Sequence, residues 1–228
     1  MPARQGAGAD AAEPARRGAR CRPSVCDDPP MDLKNIRIPD SPAARLAREV
    51  VERFSSPAMV NHSVRAYLWA AAHAGAIGLA FDEELLWVSA MLHDIGLGTA
   101  FDNHTIPFED AGGNVAWVFG AGAGWPADRR RRASEIIVRH MWDAVDPAMD
   151  PEGHLLEVST ALDISGRDPH LWPQAFRDRV LAAVPRLDLK DEFGACLRDQ
   201  ARRKPQSSAA AFVSGGMDRR LAENPLER

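Results

Sequence analysis

Four side chains that suit a divalent transition metal are spread along this chain. They are His62 in Asn61-His62-Ser63-Val64-Arg65, the adjacent His93 and Asp94 in Leu92-His93-Asp94-Ile95-Gly96, and Asp163 in Thr160-Ala161-Leu162-Asp163. Imidazole nitrogen and carboxylate oxygen are donors that zinc, iron and manganese accept. Taken singly, each has an ordinary explanation: a helical histidine is commonly a satisfied core or surface group, and an aspartate at a helix end is commonly a cap. The setting argues for more. The apolar stretch Leu85 to Leu92 delivers His93 and Asp94 at its end and then breaks at Gly96 and Gly98, and Asp163 follows Leu155, Leu156, Val158 and Leu162. Polar groups carried into an apolar interior are costly unless a metal or a hydrogen-bond partner meets them. Neighbours on a helix point about 100° apart, yet at a helix end a long imidazole and a short carboxylate can converge on one ion. Glycines beyond them let the chain turn away without crowding it.

The elements that must position these groups read as helices. Ser41-Pro42 is an N-cap followed by proline at the first helical position, and Leu46, Val50, Val51 and Phe54 then fall on one face. Asn61 is a cap for a second helix running to about Leu79. Asp82 caps a third, with Glu83 and Glu84 in the first turn, where the helix dipole favours negative charge. Further helices are expected at about 108–121, 127–142, 151–164, 172–184 and 190–203, while Ile36 to Ile38 is a brief strand candidate limited by Pro39. The reading is an all-α fold, one helical domain over residues 31–203. Residues 1–30, rich in Ala, Arg, Gly and Pro, are expected to be a disordered extension, and Met31 looks like an ordinary protein start, so the extension reads as a mis-called one. The Ser/Ala/Gly-rich segment 204–228 is expected to be a loose tail.

Composition excludes several classes. Of 228 residues, 45% are apolar and 26% charged, which suits a globular core rather than a disordered or collagen-like chain. The net charge of -4 supplies no global field for nucleic acid or anionic lipid, so neither is an expected partner. The four arginines Arg129 to Arg132 point all round a helix and read as a solvated face. The longest stretch without Asp, Glu, Lys or Arg, Ala66 to Phe81, is 16 residues. Spanning a bilayer takes roughly 20, so it reads as a buried helix. No apolar stretch of signal-peptide length opens the chain, and Cys21, Cys26 and Cys196 make neither a disulfide framework nor a zinc ribbon. A cytoplasmic enzyme acting on a small molecule is the expectation, and a homo-oligomer is left open.

The order His62, His93-Asp94, Asp163 resembles the HD-domain superfamily of metal-dependent hydrolases. Its cyanamide hydratase-like branch is resembled by Asn-His-Ser-Val-Arg-Ala-Tyr at 61–67, Leu-His-Asp-Ile-Gly at 92–96, Phe-Glu-Asp-Ala-Gly-Gly at 108–113, Ile-Ile-Val-Arg-His at 136–140 and Thr-Ala-Leu-Asp-Ile-Ser-Gly at 160–166. The likeness spans roughly residues 41–170. It implies a helical bundle holding one divalent ion, zinc in such hydratases with iron or manganese as alternatives, through His62, His93, Asp94 and Asp163. It also implies addition of water across a nitrile carbon. The chain departs from the branch at Ile164, where hydratases tend to carry Asn, and at Met141-Trp142, where a polar residue follows the later histidine.

A metal of this kind lowers the pKa of bound water toward about 7. Asp94 would then both bind the ion and take a proton from the water, and His140, matching a histidine the family keeps near the metal, would touch substrate or that water. Phe108 and Trp142 are expected to wall a small pocket, and Glu109 to orient a metal-bound histidine. His104, His140 and His154 are the residues from which a second ion site would be built, although His154 reads better as a first-turn residue facing water. The competing reading is an HD phosphohydrolase. A phosphate needs Lys or Arg beside the ion, and after His93-Asp94 there is none until Arg129, although Arg139 or Arg167 could fold in. A non-catalytic helical signalling module is a third reading, disfavoured because all four ligands are present.

Overall fold

Pairs of serine and proline begin the first two helices of this protein. A computed structural model describes residues 31–227. The expected disordered extension 1–30, with Cys21 and Cys26, lies outside the described residues. In α1 (Pro42–Phe54) the Ser41 hydroxyl accepts from the Ala44 N–H. In α2 (Pro57–Ile77) the Ser56 hydroxyl accepts from the Met59 N–H. Asn61, expected as that cap, instead sits inside α2 and donates to the Pro185 carbonyl. A second Ser-Pro signal lies five residues upstream of Asn61 and is the stronger one, because proline at the first turn gives up an N–H that has no helical partner anyway.

Helix α2 is largely apolar and buried on nearly every face, and so sits at the centre of the bundle, packed on α1, α3 (Glu83–Leu92), α6 (Pro151–Ser165) and α8 (Leu189–Arg203). Asp82 caps α3 as expected. The pair α4 (Phe108–Gly122) and α5 (Ala127–Arg139) closes one side, and α7 (Gln174–Ala183) leads back to α8. Among the described residues there is no strand, and the structure is all-α. None of these helices is long and apolar enough to cross a membrane.

The main core holds Trp69, Trp87, Trp172, Tyr67 and Phe176, and its indoles are satisfied: Trp87 Nε1 donates to the Ala44 carbonyl and Trp172 Nε1 to the Trp69 carbonyl. A second apolar cluster gathers Phe108, Leu189, Phe193, Ile164, Met217 and Leu221. It exists because the last segment is not loose. Residues expected as a loose tail form α9 (Ser208–Ser214) and α10 (Met217–Ala222), and Ala209, Met217 and Leu221 are buried. Helices this short do not hold themselves together in water; the second apolar cluster supplies what their propensity lacks.

Candidate metal centre

The chain is bent sharply just after α3, and two candidate ligands sit at the bend. His93 follows the last residue of α3, and Asp94 opens a single 3-10 turn, Ile95–Leu97. Gly96 is there for space rather than for a left-handed backbone. A side chain at Gly96 would overlap the Phe108 carbonyl, and one at Gly112 would lie 3.0 Å from the His93 carbonyl, so the start of α4 presses directly on the bend. His62 comes from the middle of α2, and His140 caps the C-terminal end of α5.

These side chains meet. His62 Nε2 lies 3.1 Å from His93 Nε2 and 3.3 Å from Asp94 Oδ2, and His93 Nε2 lies 3.1 Å from the same oxygen. His140 Nε2 stands 3.8 Å from Asp94 Oδ1. All four are buried. The protons can be placed from the partners on the far side of each ring. His93 Nδ1 faces the Ala90 carbonyl at 2.8 Å, and His140 Nδ1 faces the Ile137 carbonyl. A carbonyl only accepts, so both Nδ1 atoms carry the hydrogen and both Nε2 atoms keep a lone pair. His62 Nδ1 faces Asp163 Oδ2 at 2.7 Å. Burial opposes charge on Asp163, but Arg65, His62 and Arg186 outweigh it and hold this carboxyl well below the usual range, so it too only accepts.

The result is a buried meeting point of acceptors. Three imidazole lone pairs and one carboxylate converge, and neither Asp94 oxygen has a hydrogen-bond partner. Such a set is unstable without positive charge between its members. The same pressure shows in the titration of the groups. Burial pulls His62 down, but Asp163 and Asp94 lift it above the ordinary histidine value. Burial pushes Asp94 up, but the His93 and His62 rings drive it far below the carboxylate range. Donors about 2.0–2.1 Å from a tetrahedral zinc stand about 3.4 Å from one another, close to the separations here. His62, His93 and Asp94 therefore fit a divalent ion, with His140 beside them.

Asp163 takes a different place from the one expected of it. Its carboxylate lies on the opposite edge of the His62 ring. There it accepts from Arg65 Nε at 2.9 Å and Nη2 at 2.8 Å, and from Trp69 Nε1 at 3.0 Å. Both oxygens are thus occupied by donors, and Asp163 fixes the tautomer and tilt of His62. Its backbone is held from outside. At the end of α6, Asn224 Nδ2 donates to the carbonyls of Asp163 and Ile164, each at 3.0 Å, and Arg186 Nη1 donates to the Asp163 carbonyl at 2.6 Å. Gly166, which follows the last residue of α6, has φ +67°, and a side chain there would run into Pro225. Arg186 is in turn paired with Glu227, so residues 224–227 strap the end of α6.

Three further expectations need correcting. Glu109 orients no histidine: it accepts from the Ser208 hydroxyl, its other oxygen has no partner, and burial raises its pKa. Phe108 is fully buried behind the His140 ring, 5.8 Å between centroids, and does not line the cavity. His104 is exposed on its loop and His154 Nδ1 bonds the Val145 carbonyl, so neither joins His140 in a second cluster among the described residues. Trp142 does line the cavity, half-exposed. That cavity, about 300 Å³, opens from the histidines and Asp94. Its outer wall includes Ser208, Ala211 and Phe212 of α9 and Gly215 just beyond it, a wall the sequence does not announce. The arginine run is engaged locally, with Arg129 on Asp82 and Glu84, and Arg132 on Asp150 and Glu152.

The profile of the HD domain family matches residues 59–145, a span that holds His62, His93, Asp94 and His140 and ends before Asp163. Over 172 residues the chain is 28% identical to the cyanamide hydratases DDI2 and DDI3 of Saccharomyces cerevisiae, an alignment covering 73% of this chain and 76% of each relative. Residues 59–145 thus carry an HD-domain match on a buried histidine–aspartate cluster at a helix end, and most of the chain is similar to the two cyanamide hydratases. Together these findings make the protein a metal-dependent hydrolase or hydratase.

Proposed function

We propose that this protein adds water across a nitrile-type carbon, as its relatives' name says of them, using one zinc ion held by His62, His93 and Asp94. The observation that carries this is the buried convergence of Nε2 lone pairs and an unpartnered Asp94 carboxylate at the floor of a cavity. When bound, the ion would lower the pKa of a water toward about 7 and so supply hydroxide at neutral pH. The chain's own residues do the rest. Asp163 and the Ala90 carbonyl keep the His62 and His93 lone pairs aimed inward. Asp94 Oδ1, on the side facing His140, is placed to take the proton that leaves the water. His140 is neutral in the working range, because burial, then His93, lowers it to about 4. Its Nε2 lone pair, 3.8 Å from Asp94 Oδ1, is placed to take over the proton that Asp94 receives from the water and to pass it to the nitrogen of the opened carbon–nitrogen bond.

The cavity favours a neutral substrate. Its lining carries three carboxylates, Asp94, Asp143 and Glu157, against two guanidinium groups, and one of those, Arg167, is paired with Glu157. A phosphate dianion would meet no free arginine beside the histidines. Among the described residues Cys196 carries a free thiol, which the reducing cytoplasm we propose as the setting would keep reduced. Cyanamide at millimolar concentration should be hydrated faster by zinc-loaded protein than by metal-free protein. Turnover of phosphate esters alone would replace this reading with a phosphohydrolase.

A further inference from the structure

The cavity is built for more than a three-heavy-atom substrate. Its volume of about 300 Å³ is roughly ten times the 30 Å³ that one water occupies in the liquid. About half of the wall is apolar, and its apolar groups start at the histidines themselves. The Phe193 ring stands edge-on to His62, 6.1 Å between centroids. Phe193 and Ile164 belong to one apolar cluster, and Met141 and Phe212 pack against it. All four line the cavity. Ala161 on α6 and Ala211 on α9 are small residues of the same lining that leave the room open. The Glu157–Arg167 pair neutralises itself on the wall, and Arg220 lies over the Phe212 ring at the exposed rim.

A small polar molecule gains nothing from the apolar half of this wall. An apolar substituent that leaves water for it gains about three- to fourfold in affinity per methylene. We infer that the substrate of this protein is a neutral nitrile or cyanamide bearing an apolar substituent of alkyl to phenyl size, seated against Ile164, Phe193 and Phe212. This rests on the hydration reading above for its chemistry, but the seat itself can be tested separately.

Two series test it with the zinc-loaded full chain. In the first, turnover is measured for cyanamide and its N-methyl, N-ethyl, N-propyl and N-benzyl derivatives. In the second, binding of the matching N-substituted ureas, the products, is measured by calorimetry. The expected result is kcat/KM rising about three- to fourfold per methylene until the cavity is filled, product affinity rising in parallel, and both slopes flattening in Phe212→Ala. Exclusion of the substituted compounds, or affinity independent of chain length, in the wild-type protein would overturn the inference without needing any variant to fold. Ureas that bind with the expected slope while no cyanamide is hydrated would uphold the apolar seat and refute the hydration chemistry instead.

Discussion

Asp163 Oδ2 lies 2.7 Å from His62 Nδ1, on the ring edge opposite the Nε2 atom that faces His93. One buried carboxylate thus fixes the histidine's tautomer without entering the cluster. It also neutralises Arg65, which is itself fully buried. Asp163→Asn should separate this positioning role from a ligand role. Zinc affinity measured by competition titration should fall about 10–100-fold, the usual cost of changing a group bonded directly to a ligand. Because the Arg65 charge would be left uncompensated, unfolding free energy should also fall by about 3–5 kcal/mol. Complete loss of zinc from a variant whose helical circular dichroism survives would instead make Asp163 a ligand. Unchanged affinity would remove it from the centre altogether.

The strap at residues 224–227 should reach the metal through the same carboxylate. Asn224→Asp keeps the shape but replaces the amide donor with an acceptor facing the last carbonyls of α6. Stability should drop by about 1–3 kcal/mol. Affinity for cobalt, and the visible spectrum it gives, should shift by less than the roughly 10–100-fold of a directly bonded group, but measurably. If stability falls while cobalt affinity and spectrum stay at wild type, the strap supports the helix and not the site.

His140 gives a pH dependence with a definite sign. Its ordinary value is 6.5, and in the folded protein burial, then His93, brings it to about 4. Between those values the unfolded chain binds a proton that the folded chain refuses. Stability present above pH 6.5 is therefore lost as pH falls toward 4. The loss from this residue amounts to about 3 kcal/mol. Denaturation of chelator-treated protein from pH 8 to 4 should show it in wild type, and His140→Phe should lack it. Equal losses in both would show that His140 is not held neutral.

Much of this was readable before the fold was known, and the exceptions have physical causes. Caps at Ser41 and Asp82 work locally, so residue type and spacing suffice to find them. His62, His93 and Asp94 were visible as donors at the ends or middles of apolar segments, and they do come together. Asp163 was misplaced because type does not tell which edge of a ring a carboxylate meets. A signal was nonetheless present: His62, Arg65 and Trp69 fall at helical spacing on one face of α2, and all three donate to Asp163. Phe108 and Glu109 were misjudged for a related reason, since the approach of α4 to Gly96 decides where they point. Helices α9 and α10 were missed because composition reports propensity, and these short helices depend on tertiary burial. The departures noted at Ile164 and Met141-Trp142 all fall on the cavity wall.

The most direct test of the central claim is elemental analysis of the purified full chain before and after reconstitution with zinc, beside Asp94→Ala. The account predicts about one equivalent of metal per chain in wild type, since His62, His93 and Asp94 form a single cluster. It predicts less than a tenth of that in the variant, with helical circular dichroism unchanged. Wild-type protein that holds no transition metal even after reconstitution, or a variant that retains a full equivalent, would contradict it.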